Sequence, residues 1–185
     1  MAKEKKKNVS RLKLDNFSKV GEEFSKIEIK ERQWKNHLFR IDRYYYDQFQ
    51  IMNNQYFIQS NNPKGYIHMA NKFFLKAYEV FKSHMLEEMG LDKVPNIDTE
   101  AYEFLTRTGR RARYSFSEEN ETGEKKGIQL AFKPEVLKEI YSFIYVYYEH
   151  KEKRRNFHIY SPAYLLVEIV LWLQDDKKWN LLIDK

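Results

Sequence analysis

Large apolar residues recur at steps of three and four along much of the chain, which is the spacing of one helical face. The pattern runs from Ile67 to Met85, and Gly90 is expected to end that helix because glycine adopts the left-handed conformation without steric cost. An earlier stretch, residues 28–54, predicts another long helix with six large residues on one face: Trp34, Leu38, Ile41, Tyr45, Phe49 and Met52.

Capping residues predict the starts of three further helices. Asp98 is expected to cap a short helix that ends before Gly109. Pro134 suits the first turn of a helix, where its missing N–H needs no partner. Ser161 followed by Pro162 leads into an almost uniformly apolar segment, AYLLVEIVLWLQ. A helix that is apolar nearly all round is expected at the centre of a core.

The middle of the chain alternates apolar and polar residues, which is the period of a strand. Residues 112–117 (ARYSFS) and 127–133 (GIQLAFK) both show this alternation. The polar linker EENETGEKK is long enough to reverse the chain, so we predict an antiparallel hairpin over about residues 111–133. In its second strand, Ile128, Leu130 and Phe132 are expected to face the core.

These elements predict a mostly helical α+β fold with about five helices and one hairpin inserted before the last two. A chain of 185 residues buries roughly two-thirds of its unfolded surface, so one globular domain over residues 14–185 is expected. Residues 1–13 are expected to form a flexible, disordered basic arm, because their start, MAKEKKKN, offers nothing to a core.

Several classes of protein are disfavoured by composition. No cysteine is present, so disulfides and thiolate metal sites are excluded. The basic start lacks the apolar region of a signal peptide, and the longest apolar run, residues 163–173, is too short to span a bilayer. We therefore expect a soluble cytoplasmic protein that does not enter a membrane.

The net charge is +6, but residues 1–20 carry seven basic and two acidic side chains and so hold five of those charges. The remaining residues net only +1. The sequence pI of 9.2 therefore does not by itself indicate a basic groove in the folded body.

The segment GIQLAFKPEVLKEI, a short alternating strand followed by an amphipathic helix, resembles the opening of a ribbon-helix-helix DNA-binding module. In that family the strand pairs with its twin in a dimer and lays its polar face in the major groove. The resemblance covers about fifty residues. It implies that Gln129, with Gly127 and Ala131, faces DNA.

The order of helix, turn, short helix and hairpin also resembles a winged helix-turn-helix. That resemblance implies a recognition helix at residues 99–108 and a wing tip at 118–126. A third interpretation is a hairpin packed over a helical core, with no groove contact at all. The sequence leaves all three open.

Two basic clusters lie outside the arm. Arginine offers a planar fork of donors that suits phosphate, and tyrosines lie near both clusters in sequence for stacking on bases. Equally, the clusters could be a solvated loop and a helix end whose cations oppose the helix dipole. The clusters are Arg107, Arg110, Arg111 and Arg113, and Lys151, Lys153, Arg154 and Arg155.

No catalytic or cofactor-binding residues are predicted. The five histidines show no metal-ligand spacing, and His150 and His158, which flank the second cluster, have no recognisable nucleophile beside them. We therefore expect no enzyme activity, no metal and no cofactor.

The leading hypothesis is a non-catalytic nucleic-acid-binding accessory or regulatory protein, with DNA favoured over RNA. Abundant Lys, Asn, Ile, Tyr and Phe suggest an AT-rich genome, and hence a bacterial mobile element such as a phage or plasmid. The alternative is a protein-interaction module that uses an aromatic surface, for example at Tyr44, Tyr45 and Tyr46. Oligomeric state is left open, a dimer included.

Overall fold

The computed structural model describes residues 35–59, 69–107, 119–152 and 161–183. The chain divides into two units after Lys35, and every described residue except Lys35 belongs to the second unit, residues 36–185. The predicted arm, residues 1–13, lies outside the described residues. In chain order the elements are β1 (Lys35–Asp42), α1 (Arg43–Gln59), α2 (Met69–Met89), α3 (Thr99–Arg107), β2 (Lys125–Phe132), α4 (Pro134–Glu152), α5 (Pro162–Trp172) and α6 (Asp176–Ile183).

Six helices and one antiparallel pair of strands make up this part of the chain, which confirms the mostly helical α+β prediction. The predicted caps form as well. The Asp98 carboxylate accepts a hydrogen bond from the Ala101 N–H at 2.6 Å, and Ser161 Oγ accepts one from the Tyr164 N–H at 3.2 Å. Gly90 follows α2 with φ +69°. Helix α6 was not predicted, because its eight residues bury only Leu182.

The prediction of one helix over residues 28–54 is wrong for residues 35–42, which form β1; residues 28–34 lie outside the described residues. Phe39 and Ile41 are buried in β1, whereas Leu38 is 59% exposed. Leu38 and Ile41 are three residues apart, so they fit a helical face as well as opposite faces of a strand. The alternation of exposure shows that the strand period holds here.

Strand β1 pairs with β2. The Arg43 N–H donates to the Glu124 carbonyl at 2.8 Å, which places the end of β1 beside the start of β2, as an antiparallel pair requires. Strand β2 lies where the sequence predicted it. The predicted partner, residues 112–117, lies outside the described residues. The observed partner precedes β2 by three helices.

The inner face of the sheet packs on α2. Phe132 is fully buried, and its ring centroid lies 5.6 Å from that of Phe74 and 6.1 Å from that of Phe39. Behind α2 lies α5, which contacts α1, α2 and α4 and buries six of its residues: Leu165, Leu166, Val167, Ile169, Val170 and Trp172. The predicted central position of this helix is confirmed. In the described residues, no helix is long and apolar enough to cross a membrane.

Candidate nucleic-acid interface

The outer face of the two-stranded sheet is the described surface that best suits nucleic acid. Because side chains alternate across a strand and the inner set is buried, the intervening residues face solvent. All are polar or cationic except a leucine and a glycine, and none is a carboxylate. We call this set the ribbon face: Asn36, Leu38 and Arg40 from β1, and Lys125, Gly127 and Gln129 from β2, all exposed.

The neighbours that the structure describes do not neutralise the two cations of the ribbon face. Arg40 and Lys125 form no ion pair with any other residue in the described ranges. The nearby Glu124 is held at 2.6 Å by Lys126 Nζ and at 2.9 Å by Arg43 Nη1. Hydrogen bonds from Lys126 and then Arg43 lower the pKa of Glu124. The carboxylate just before the start of β2 is thus balanced, and among the described residues the ribbon face keeps a positive charge.

Leu38 lies across Gly127 on the ribbon face. A Cβ atom added to Gly127 would lie 2.9 Å from Leu38 Cδ1, closer than such contacts occur. Because residue 127 has no side chain, the side chain of Leu38 can lie directly over it. Leu38 nevertheless remains 59% exposed.

Asp42 fixes one end of the ribbon. It is 2% exposed, and its carboxylate accepts hydrogen bonds from the N–H groups of Tyr44, Thr122 and Gly123 at 2.8–3.0 Å and from Thr122 Oγ1 at 3.0 Å. Burial opposes ionisation, but these hydrogen bonds, led by the Thr122 N–H, outweigh it and hold the pKa of Asp42 below its ordinary value. One side chain thus caps α1 and anchors the turn that precedes β2.

Asn71, near the start of α2, holds β2 near its other end. Its Nδ2 donates to the Ala131 carbonyl at 2.6 Å, and its Oδ1 accepts from the Ala131 N–H at 3.0 Å. Ala131 is only partly exposed, whereas Gln129 and Gly127 are exposed as the ribbon-helix-helix resemblance implies. Since β2 pairs with β1 of the same chain, the ribbon is intramolecular and does not need a twin strand.

Most of the predicted basic clusters fall outside the described part of the structure. Six of their eight basic residues lie there: Arg110, Arg111, Arg113, Lys153, Arg154 and Arg155. The backbone of Arg107 ends α3 and that of Lys151 lies near the end of α4, but their side chains are not described. Gln129 is therefore the predicted site residue whose side chain can be placed. The other contacts of the two clusters stay predictions.

Helix α3, the recognition helix of the winged-helix interpretation, packs on α4. The Tyr102 and Tyr141 rings lie 5.7 Å apart, and Leu105 is 4% exposed. Its exposed positions include Glu100 and Glu103, which would face phosphate unfavourably. The described face of α3 therefore suits nucleic acid less well than the ribbon face does.

A cavity of about 470 Å³ lies among α2, α4, α5 and α6. Phe81, Met85 and Trp172 form part of its apolar wall, and His150 lines it together with Glu88. Among the residues that the structure describes, its lining contains no serine or threonine. In the described residues, no group of three or more histidine, aspartate or glutamate side chains is arranged to hold a metal ion.

Comparison with known proteins gives no match: no family model fits the chain, and neither a curated protein nor a solved structure resembles it significantly. The function must therefore be inferred from the residues themselves.

Proposed function

We propose that the protein binds nucleic acid without catalysis, in an accessory or regulatory role, and that the ribbon face is its contact surface. The observation that supports this is the make-up of that face. Two exposed cations, Arg40 and Lys125, stand beside two exposed amides, Asn36 and Gln129, with no carboxylate among them.

The shape of the ribbon favours DNA. The major groove of B-form DNA admits a two-stranded antiparallel ribbon, and each base pair shows a distinct pattern of donors and acceptors there. The side chains of Arg40 and Lys125 suit phosphate or guanine, and the amide of Gln129 suits adenine. Asp42 and Asn71 hold the two strands, so little order has to be gained on binding.

Three further parts of the proposal rest on composition or on sequence alone. They are the phosphate contacts of the two basic clusters, a cytoplasmic location, and an origin in a bacterial mobile element. The clusters would add affinity without sequence preference, since phosphate carries no base information.

The alternative function, protein interaction through an aromatic surface, finds no such surface in the described ranges. The large apolar side chains exposed there are aliphatic: Leu38, Ile51, Ile58 and Leu181. Tyr44 and Tyr46 are partly buried and pack against the core, and Tyr45 is 1% exposed. The tyrosine run therefore serves the fold more than a partner.

Replacing Arg40 and Lys125 together with glutamine should weaken binding to duplex DNA and flatten the dependence of log affinity on log salt. The slope should fall by about 0.9 for each cation that contacts phosphate. Fluorescence anisotropy across a salt series, on random duplexes, measures both quantities.

A matched control replaces Lys93 and Lys177 with glutamine, which removes the same charge from two other exposed positions. Lys93 follows the last residue of α2, Met89, which lies roughly 27 Å along the helix from Asn71. The control should keep the wild-type slope. Equal losses in both double variants would contradict the ribbon face as the contact surface. A wild-type Kd weaker than about 100 μM near physiological salt would contradict nucleic-acid binding and favour the interaction module.

A further inference from the structure

We infer that the ribbon face recognises double-stranded DNA through the 5-methyl group of thymine, with Leu38 as the residue that contacts it. This inference rests on the proposed function. Beyond the proposed function, it specifies duplex DNA as the nucleic acid, the major groove as the place of contact and thymine as the base.

Leu38 is the large exposed apolar residue of the sheet. It is 59% exposed, while the residues on either side of it, His37 and Phe39, contribute to the inner face, where both rings lie near Phe132. Its neighbours on the ribbon face are polar or cationic, apart from Gly127. In the major groove, the thymine methyl is the apolar group that base edges present, and apolar side chains contact it.

Gly127 sets the position of that leucine. Any side chain at residue 127 would displace Leu38, because a Cβ there would lie 2.9 Å from Leu38 Cδ1. Without one, Leu38 Cδ1 lies over Gly127 on the outer face of the paired strands. Gly127 therefore acts as a positioning residue for Leu38.

Gln129 stands on the same exposed face, two residues from Gly127. A glutamine amide pairs with N6 and N7 of adenine, so Gln129 and Leu38 together suit an A·T step in which one reads adenine and the other a thymine methyl. Duplex RNA offers neither feature, since uracil lacks the methyl group and the A-form major groove is too narrow for side chains.

The test begins by selecting the preferred site of the full-length protein from a randomised pool of duplex DNA. The selected duplex is then remade with deoxyuridine for every thymidine, which keeps base pairing and removes the methyl groups. The wild type should bind the uracil duplex about fourfold more weakly for each thymine methyl that the leucine touches. Leu38→Ala should bind both duplexes nearly alike, because the alanine methyl is too short to reach the group that the leucine touches.

Gly127→Ala should also reduce the discrimination between thymine and uracil, since it displaces Leu38 without changing a polar group. Ile58→Ala, at an exposed isoleucine of α1, should keep the wild-type discrimination. An RNA duplex of the same sequence should bind only as well as random duplexes do.

Three outcomes would overturn the inference while leaving the proposed function in place. They are equal wild-type affinity for the thymine and uracil duplexes, a selection that returns no preferred site, or RNA bound as tightly as DNA. In each of these cases the dependence on Arg40 and Lys125 would persist. If no duplex is bound at all, the proposed function fails with the inference.

Discussion

Ile169→Ala is expected to lower the free energy of unfolding by about 2–5 kcal/mol, and Leu166→Asp is expected to prevent folding. Both residues lie in α5, where Ile169 is 3% and Leu166 is 1% exposed. Three helices pack around α5, so the space left by a smaller side chain can close only in part. A carboxylate at residue 166 would be buried without a partner, at a cost near the whole stability of a domain.

Urea denaturation followed by circular dichroism measures the change for Ile169→Ala. Leu181→Ala is the matched control, because Leu181 is 43% exposed on α6; its effect should stay within about 0.5 kcal/mol. Wild-type stability in either α5 variant would show that this helix does not form the centre of the core.

Asp42→Ala is expected to lower the free energy of unfolding by about 2–4 kcal/mol, which combines the loss of a helix cap with donors left unpaired. The N–H groups of Tyr44, Thr122 and Gly123 would all be deprived of their acceptor. Since these donors join the end of β1 to the turn before β2, the ribbon should loosen as well. Urea denaturation at pH 7 measures the change.

Asp42→Asn removes the charge of the side chain while keeping its size and shape. The pKa of Asp42 is lowered in the folded protein, so its ionised form stabilises the fold above the unfolded-state pKa, near 4. That stabilisation is lost as pH falls from about 4 through the folded-state pKa. The difference in free energy of unfolding between wild type and Asp42→Asn should therefore have its largest value at pH 7 and should shrink below pH 4.

Asp92→Asn, at an exposed aspartate after α2, is the control for the acid series, and its effect on the free energy of unfolding should stay within about 0.5 kcal/mol. A difference between wild type and Asp42→Asn that stays constant from pH 7 to pH 3 would contradict the stabilising role of the ionised carboxylate.

Helices α2 to α5 could be predicted because local signals in the sequence mark where each of them begins or ends. For α3 and α5, a capping side chain, Asp98 or Ser161, marks the start of the helix and forms its hydrogen bond as expected. The sequence of strand β1 contained one signal, and that signal fitted a helix as well as a strand. Its three-residue step from Leu38 to Ile41 continued the pattern of α1, and the boundary became clear only from the contacts of Asp42 with the turn before β2.

The candidate site could be predicted only in part for the same reason. The exposed position of Gln129 can be predicted from the alternation of apolar and polar residues within β2 alone. Arg40 and Leu38 belong to the same face only because β1 pairs with a strand more than 80 residues away, and no local pattern encodes that pairing. The close approach at Gly127 depends on it too. The short alternation of apolar and polar residues over residues 39–42 (FRID) was the one signal that could have revealed these residues.

The most direct measurement of nucleic-acid binding by the ribbon face is an NMR titration. The ¹⁵N-labelled full chain is titrated with duplex DNA at low salt, and the backbone amide shifts are followed residue by residue. The largest changes among the described residues should fall on Arg40, Gly127 and Gln129, while Lys93 and Lys177 stay unchanged. Shifts that instead concentrate on α1 around Ile51 and Ile58, with the ribbon face unaffected, would contradict the proposed interface.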